Sequence, residues 1–201
     1  MSKSEVLTRK LEDIVDIQSG YQLKGQMTNA PEGNVSCIQV QDLDHSQRIV
    51  KSDGLWKIKT DKIFDNYQIT KNDLLFLSKG SKFGAYRIPD FESLTIPLAH
   101  FFILRTGKNN KVNSTYLWWI LNERRTANKI QNGMKGSMMP FISRADLGQI
   151  EIPIPPRDVQ EMIFELANLR LKEKDLVTKI EIYKDQLIEN ALANKVFGEK
   201  L

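Results

Sequence analysis

The pattern of hydrophobic and polar positions in this chain changes its period at the double proline Pro155-Pro156. Just before it, Ile150–Ile154 is an apolar run of strand length. The prolines end that run because proline lacks the N–H that a strand ladder needs. From Asp158 to about Phe197 the chain contains no glycine or proline, and apolar residues recur three and four positions apart. This spacing is typical of an amphipathic helix or a coiled coil.

The predicted helix is too long to bury its apolar stripe inside a domain of this size. At 1.5 Å per residue it would extend on the order of 60 Å, so we expect it to pack against a partner helix. The stripe that we expect to form the dimer contact, with Glu173 as an imperfect position, is Leu166, Leu169, Leu176, Ile180, Tyr183 and Leu187. The expected organisation is a globular domain over residues 1–155 and a long helix for association over residues 156–201.

The globular part alternates between short apolar runs and turn signals, which predicts an α+β domain with a mixed β-sheet and short helices. Apolar residues at positions 7, 11, 14 and 15 predict an opening helix within Leu7–Ile17. Strands are predicted at Val35–Val40, Leu74–Leu77, Ala85–Ile88 and Ala99–Leu104.

Capping residues mark two further helix starts. Asn113 and Ser114 predict a helix that continues to about Ile130, and Ser143 can cap a brief turn before the final strand. Trp118 and Trp119 would point about 100° apart on the first of these helices. We therefore expect one tryptophan in the core and the other at its margin or facing a partner subunit.

Length and composition limit the number of domains and argue against a membrane or disulfide-rich protein. At 201 residues the chain can hold one core plus an appendage, and no apolar run approaches the length of a membrane span. The first five residues carry no apolar signal-peptide core, and Cys37 is the only cysteine. A single cysteine excludes a disulfide framework and fits a reducing compartment. We expect a cytoplasmic protein without a membrane segment.

Positive charge is concentrated in one part of the chain. The net charge is +4, but residues 79–144 alone hold 11 lysines and arginines against 3 acidic residues. Residues 1–78 are close to neutral, and the helical region is balanced with 8 basic and 9 acidic residues. A localised basic excess is the footprint expected for a polyanion such as DNA. The competing interpretation is an ordinary basic surface.

Motifs for catalysis are largely absent from the sequence. Methyl transfer needs an Asn/Asp-Pro-Pro-aromatic tetrapeptide, whereas the only Pro-Pro pair follows Ile154 and precedes Arg157. The Gly80–Gly84 segment lacks the Gly-Lys-Ser/Thr end of a P-loop. No acidic-x-Lys triplet follows Pro89-Asp90, so a metal-dependent nuclease lacks its second carboxylate and lysine. The sequence therefore indicates a binding protein.

A metal site is not indicated either. His45 and His100 are distant in sequence, and neither has a second ligand at helical or hairpin spacing. We expect His45 in a surface loop and His100 in a strand. The sequence thus predicts no metal and no cofactor.

Several short motifs occur in a fixed order over nearly all of the chain. They are Leu11-Glu12-Asp13-Ile14-Val15 with Gly20-Tyr21, Ile38-Gln39-Val40-Gln41-Asp42-Leu43, Ile69–Phe76 with Ser78-Lys79-Gly80-Ser81, and Ile142–Leu147 with Ile152–Pro156 and Gln160. In order and spacing they resemble the DNA-specificity (S) subunits of type I restriction–modification systems. Asn72 replaces a glycine common in that family. The chain also has one recognition domain and one spacer helix where such subunits usually have two of each.

The resemblance implies a half-length specificity subunit. Two copies would pair their helices antiparallel as a two-fold homodimer, and each domain would read one half of a bipartite site in double-stranded DNA. Methylation and cleavage would belong to the partner modification (methyltransferase) and restriction subunits. S-adenosylmethionine and ATP would bind to those partners, so this chain would be a non-catalytic subunit.

Three glycine-containing loops carry the residue types that contact phosphates and base edges. We name them by residue number as the 19–25, 78–84 and 132–138 loops. The candidate DNA-binding residues are Tyr21, Gln22 and Lys24 in the first loop, Lys79, Ser81 and Lys82 in the second, and Lys135, Ser137 and Met138 in the third. For Arg124 and Arg125, on a predicted helix, a role in surface salt bridges is at least as strong an expectation.

Two other functions remain open from the sequence. The chain could be the recognition tail of a single-chain restriction–methyltransferase, although a start at Met1 without catalytic sequence favours an independent subunit. It could also be a coiled-coil adaptor with no nucleic-acid role. An adaptor leaves the basic excess of residues 79–144 unexplained.

Overall fold

The computed structural model describes residues 6–25, 27–107 and 112–198. Its contacts divide the chain into two units, Met1–Ile163 and Phe164–Leu201. The first unit contains all strands of the described residues, and the second is helical as far as Phe197. The fold is α+β, with mixed sheets and short helices followed in sequence by one long helix.

Short apolar runs separated by turns give short elements. The strands are β1 Leu7–Lys10, β2 Val15–Ser19, β3 Val35–Ile38, β4 Leu43–Asp44, β5 Ile49–Val50, β6 Trp56–Ile58, β7 Asp73–Leu77, β8 Gly84–Arg87, β9 Thr95–Pro97, β10 Phe101–Thr106 and β11 Glu151–Ile154. The helices are α1 Leu11–Ile14, α2 Ser114–Asn122, α3 Arg124–Asn132, α4 Arg144–Gly148 and α5 Arg157–Phe197. A 3-10 turn covers Val40–Asp42.

The strands form three sheets in the described part of the chain. The largest has six strands in the order β2-β10-β7-β8-β5-β4, the second has the order β6-β3-β9, and β1 pairs with β11. In the largest sheet β10 is antiparallel to both β2 and β7, with Leu104 opposite Ile17 and Leu74. All five residues of β7 are buried, as expected for a central strand covered on both faces.

The core lies between the six-stranded sheet and its covering segments. Helix α2 packs on β8 and buries Tyr116, Leu117, Trp118, Ile120 and Leu121. A second cluster, of Val35, Cys37, Phe64 and Ile96, lies in the region of the three-stranded sheet. Burial raises the pKa of the Cys37 thiol to about 11, so this cysteine is a protonated core residue at neutral pH.

The predicted opening helix is wrong for most of its length. Only Leu11–Ile14 is helical, and strands β1 and β2 flank this single turn. Leu11 and Ile14 are buried by that turn, while the backbone of Leu7 pairs with Ile154 in β11. The apolar spacing that resembles a helix here is produced by a strand, a turn and a second strand.

The helix predicted from Asn113 to about Ile130 is two helices. Asn113 caps α2 as expected, since its side-chain oxygen accepts from the Thr115 N–H at 2.9 Å. At Glu123 the backbone becomes extended, and the Glu123 carboxylate accepts from the Arg125 and Thr126 N–H groups. The glutamate thus ends α2 and caps α3.

Other local predictions are confirmed. The Ser143 hydroxyl caps α4 by accepting from the Asp146 N–H, and the final strand lies at Glu151–Ile154. Trp118 is in the core, while Trp119 is half-buried beside the Tyr116 ring. His45 lies in a turn, as expected. The prediction of a strand at His100 is wrong, because His100 lies in the turn before β10.

The long helix begins at Arg157, one residue after the start of the helical region predicted over residues 156–201. In its first turn Gln160 is buried, with Oε1 accepting from the Asn113 N–H at 3.0 Å and Nε2 donating to the Pro155 carbonyl at 2.9 Å. In the second unit, many large apolar residues from Leu166 to Phe197 are more than half exposed. No helix within the described residues has both the length and the apolar character to span a bilayer.

Candidate nucleic-acid interface

Antiparallel pairing brings several loops to one edge of the six-stranded sheet. The last residue of β2, Ser19, lies opposite Phe102, and Phe101 lies opposite Leu77, the last residue of β7. Leu77 also lies opposite Gly84, the first residue of β8. The 19–25 loop, the 78–84 loop and the turn before β10 therefore leave the sheet at the same side, which we call the loop edge.

Backbone hydrogen bonds fasten the 132–138 loop to the 78–84 loop. The Gly80 N–H donates to the Pro140 carbonyl at 2.7 Å, and the Ile142 N–H donates to the Ser78 carbonyl at 3.0 Å. Lys135 and Phe141 exchange two hydrogen bonds of 2.8 Å each. Phe141 also forms an isolated antiparallel β-bridge with Lys79. Lys79 and Lys135 consequently lie on either side of one short backbone segment.

Arg48 contacts the other end of the 78–84 loop, near Lys82 and Phe83. Its Nη1 donates to the carbonyls of Lys82 at 3.2 Å and Phe83 at 3.1 Å. The same nitrogen donates to the Tyr86 hydroxyl at 2.9 Å. Arg48 has a φ of 53°, the one positive φ outside glycine in the described part of the chain. A bulky residue accepts this conformation only where its surroundings hold it.

Gly84 makes that arrangement possible. Its φ is 139°, and a Cβ at this position would lie 2.8 Å from Arg48 Nη1 and 2.6 Å from Asn122 Oδ1. Only glycine combines this backbone conformation with so close an approach. The loop edge is thereby tied to the end of α2 as well as to Arg48.

His45 adds little positive charge to the loop edge at neutral pH. Its Nδ1 lies 2.6 Å from the Tyr86 hydroxyl oxygen. Burial lowers the pKa of His45, and the positive charges of Lys82 and Arg48 lower it further. The imidazole is therefore neutral under ordinary conditions and acts as a hydrogen-bonding partner of Tyr86.

The 19–25 loop is fixed to the turn before β10. The Gly20 N–H donates to the Phe101 carbonyl at 2.9 Å and the Tyr21 N–H to the Pro97 carbonyl at 2.8 Å. A Cβ on Gly20 would lie 2.2 Å from the Leu98 carbonyl oxygen, so this backbone contact requires glycine. The same turn is bonded to the 78–84 loop, since the Ser78 N–H donates to the His100 carbonyl at 3.1 Å.

Tyr21 has more internal contacts than the sequence indicated. Its ring packs edge-on against Phe64 and Tyr67, with centroids 5.0 and 5.3 Å away. Its hydroxyl accepts a long hydrogen bond of 3.4 Å from Lys62 Nζ. Tyr21 is therefore half-buried as part of an aromatic cluster, whereas its neighbour Gln22 is exposed.

An open cleft of about 200 Å³ adjoins Tyr21. Lys24, Lys59 and Lys62 line it together with Thr28 and Thr60. Sequence reasoning missed Lys59 and Lys62, because residues 1–78 are close to neutral in total. Their positive charge becomes local only when the fold places residues 58–62 beside the 19–25 loop.

The remaining candidate residues lie on the surface of the loop edge. Lys79, Ser81, Lys82, Lys135, Ser137 and Met138 are all exposed. Lys135 differs from the other lysines because its Nζ lies 2.9 Å from Asp146 Oδ2. Hydrogen bonds from Lys135 and then Ser143 lower the pKa of Asp146, so this carboxylate stays charged and holds the lysine.

Part of the basic excess of residues 79–144 supports the fold. The Arg87 guanidinium stacks over the Trp118 ring at 4.5 Å, and burial lowers the pKa of Arg87. Arg105 donates to the Gln18 side chain and to two backbone carbonyls. Arg144 donates to the Ile17 carbonyl at 3.2 Å. The count from sequence therefore overestimates the charge available to a polyanion, and Lys108 and Lys111 lie outside the described residues.

The other described basic residues of this region are exposed and lie near the loop edge. They are Lys79, Lys82, Lys135 and the three basic residues of α3, which are Arg124, Arg125 and Lys129. The described residues contain no cluster of three or more His, Cys, Asp or Glu side chains suited to a metal ion. Chemically, the surface offers ammonium, guanidinium, hydroxyl and amide groups on restrained backbone.

Comparison with known proteins identifies the family. Residues 3–188 match the family described as the type I restriction modification DNA specificity domain. The chain belongs to this family. A search among curated proteins found no match.

Solved structures share the fold. The S subunit of a type I restriction-modification system from M. genitalium aligns at a TM-score of 0.59 with 17% identity, over 96% of this chain and 46% of that one. The HsdS subunit from Thermoanaerobacter tengcongensis aligns at 0.62 with 15% identity, over 96% and 50%. A chain from a study of complex assembly and conformational transition of the type I R-M system aligns at 0.69 with 16% identity, over 98% and 47%. The chain thus spans about half the length of these matches.

Proposed function

We propose that this protein is the sequence-specific DNA-recognition subunit of a type I restriction–modification complex, and that it is not itself an enzyme. The observation that carries the proposal is the loop edge, where exposed lysines stand on two loops that backbone hydrogen bonds lock together. Membership of the DNA specificity family supports the same function. The recognition domain would cover residues 1–155 and the spacer helix residues 156–201.

Each group at the loop edge suits a particular part of duplex DNA. Lys79 and Lys82 are exposed and have no ion-pair partner among the described residues, so they are available to phosphates. Ser81, Ser137 and Gln22 can donate to and accept from base edges. Hydrogen bonds to Arg48 and Pro140 already hold the backbone of the 78–84 loop. Binding DNA would therefore cost little backbone conformational entropy in this loop.

We propose further that two copies pair through α5. All six residues of the expected stripe are more than half exposed, from 51% for Ile180 to 70% for Leu187; they are Leu166, Leu169, Leu176, Ile180, Tyr183 and Leu187. Its spacing of three and four is that of a coiled-coil seam. A second copy of the same helix, arranged antiparallel by a two-fold axis, covers this stripe with an identical one.

The homodimer would place two identical recognition domains on one DNA site. Related by a two-fold axis, they read identical half-sites in opposite orientation, so the target is an interrupted palindrome. The modification and restriction subunits would supply methylation and cleavage, together with the sites for S-adenosylmethionine and ATP. A cytoplasmic location follows from this role.

The test is methylome sequencing of cells that carry this chain with its modification subunit and no other specificity subunit. We expect one methylated interrupted palindrome that disappears when this chain is removed. A target without two-fold symmetry would overturn the homodimer, and a methylome that does not depend on this chain would overturn DNA recognition.

A length change in α5 sharpens the test. Deleting one heptad from residues 170–190 shortens each helix by roughly 10 Å, or about three base pairs at 3.4 Å each. We expect unchanged half-sites with an altered gap. Deleting four residues instead breaks the heptad register, and this control should abolish the target by abolishing the dimer.

A further inference from the structure

Helix α3 carries an exposed polar face that no described contact of the fold uses. Thr126 and Ile130 are its buried residues. At 100° per residue the opposite face is centred on Asn128. The exposed side chains on or beside this face are Arg124, Arg125, Asn128, Lys129, Gln131 and Asn132.

The positive charges of this face are not neutralised within the described part of the chain. The ion pairs found there involve other residues, and none includes Arg124, Arg125 or Lys129. The nearest acidic residue in sequence, Glu123, directs its carboxylate at the N–H groups of Arg125 and Thr126. The salt-bridge role considered for the two arginines is therefore not observed.

Contacts at both ends of α3 place it beside the loop edge. Just before it, the Asn122 side chain accepts from the Ala85 N–H at 3.1 Å and donates to the Ala85 carbonyl at 2.8 Å. Just after it, Lys135 pairs with Phe141, which in turn bridges to Lys79. The helix thus connects the start of β8 to the far side of the 78–84 loop.

We propose that α3 is a base-reading helix of the recognition domain, and that it enters the major groove of duplex DNA with Asn128 and Gln131 facing base edges. This inference rests on the proposed DNA-recognition function. The major groove admits an α-helix, and the carboxamide of Asn or Gln pairs with both the donor and the acceptor that adenine presents there. Arg124 and Arg125 contact the phosphates that flank those bases.

The chemistry of the face argues for DNA as its occupant. Three uncompensated cations on a nine-residue helix match a polyanion. Three carboxamides on the same exposed surface, from Asn128, Gln131 and Asn132, supply paired donors and acceptors. An apolar protein partner would find no large hydrophobic side chain on this face.

The first test measures binding of the full chain to a 30-base-pair duplex by fluorescence anisotropy over a range of salt. Arg124→Gln with Arg125→Gln should reduce the slope of log affinity against log salt by about two, since each lost phosphate contact removes about 0.9. The matched control, Lys172→Gln with Lys174→Gln, removes the same charge from exposed positions of α5 and should leave the slope unchanged.

A second pair of variants separates this inference from the proposed function. Lys79→Gln with Lys82→Gln tests the loop edge by the same readout. If that variant lowers the slope and the α3 variant does not, α3 contacts no phosphate and the inference is overturned while DNA recognition stands. If the wild-type chain shows no salt-dependent binding at all, the proposed function fails and the inference fails with it.

The decisive readout is sequence preference. In the methylome assay, Asn128→Ala with Gln131→Ala should weaken the preference at one or two half-site positions by roughly 5- to 150-fold, while the remaining positions and the gap are retained. Gln186→Ala, a glutamine on the surface of α5, is the control and should leave every position unchanged. Circular dichroism confirms folding, which alanine favours in a helix. An unaltered target in the double variant would overturn the assignment.

Discussion

The two units of the molecule treat large apolar side chains in opposite ways. In Met1–Ile163 residues such as Phe76, Tyr86 and Leu104 are completely buried between sheet and helices. In Phe164–Leu201 residues of the same kind are exposed, among them Leu176, Tyr183 and Leu187. The first unit buries its apolar side chains within one chain, whereas the second leaves apolar side chains exposed along its helix.

This difference is the one expected under the proposed function, in which the first unit recognises DNA and the helix pairs with a second copy. Burying one large apolar side chain contributes about 1.5–3 kcal/mol. The domain gains this free energy on folding, and we expect the helix to gain it only if it associates. In proteins most of the stability of a helix comes from packing of its amphipathic face rather than from intrinsic helix propensity. We therefore expect the stability of the second unit to depend on protein concentration, in contrast to the first.

The largest effect should come from the core of the first unit. Phe76→Ala removes a completely buried ring from the central strand β7, and we expect it to lower the free energy of unfolding by about 3–5 kcal/mol. Phe197→Ala, at a residue that is 77% exposed, is the matched control and should change it by less than about 0.5 kcal/mol. Urea unfolding measures both. Similar losses in the two variants would contradict the distinction between the units.

The second effect concerns association. Leu176→Asp with Leu187→Asp puts charges into the exposed stripe and should abolish self-association at tens of micromolar, without changing urea unfolding of the domain. Thr178→Asp with Ile188→Asp adds the same charges outside the stripe and should leave the dimer intact. Sedimentation gives the oligomeric state. A wild-type monomer at this concentration would count against the half-subunit assembly.

The sequence predicted the long helix well because α5 obeys a purely local rule. No glycine or proline interrupts it, and its stripe repeats at the coiled-coil spacing. The opening helix failed because Leu7, Leu11 and Ile14 have helical spacing, yet all four residues of β1 are exposed and pair only with β11. That pairing partner lies more than 140 positions away, so no local pattern could indicate it.

The sequence also does not indicate the break between α2 and α3, because no helix-breaking residue marks it. Glycine and proline are absent from residues 114–132, and the helix is interrupted by a glutamate that turns its own carboxylate onto the next N–H groups. Glutamate has a high helix propensity, so local propensity does not indicate its role as a cap.

The candidate site was predictable at the level of loops but not of individual contacts. Glycines located the 19–25, 78–84 and 132–138 loops, and the charge count located most exposed lysines. Arg48 escaped notice because its contacts with Lys82 and Phe83 arise from parallel pairing of β5 with β8. The pairing of Lys135 with Asp146 likewise depends on the fold.

That pairing predicts unequal contributions from the lysines of the loop edge. Lys79→Gln with Lys82→Gln should lower the salt slope of duplex binding by about two. Lys135→Gln should lower it by less than about one, because Lys135 must leave Asp146 before it can meet a phosphate. Lys71 forms a similar pair with Asp90 but precedes β7, at the opposite end of that strand. Lys71→Gln is therefore the control and should leave the slope unchanged.

The smallest effect is a pH dependence at the carboxylate that holds Lys135. Hydrogen bonds from Lys135 and Ser143 lower the pKa of Asp146 below its ordinary value of about 3.9. A lowered pKa means that the folded state favours the charged carboxylate, so this contribution to stability is present above about pH 4 and is lost as the pH falls through the folded pKa.

Asp146→Asn should therefore cost a little stability at pH 7 and flatten the part of the stability profile that declines below about pH 4. Urea midpoints measured between pH 3 and pH 7 give the profile. Asp90→Asn, which removes the carboxylate partner of Lys71 at the other end of β7, is the matched control. Asp146 accepts a hydrogen bond from the helix-capping Ser143 hydroxyl as well as from Lys135, whereas the hydrogen bond described for Asp90 comes from Lys71. The Asp90 variant should therefore change the midpoint less than Asp146→Asn. Equal effects would show that the hydrogen bond from Ser143 to Asp146 adds no stability beyond the surface ion pair. The 132–138 loop would then be held in position by the backbone pairing of Lys135 with Phe141 alone.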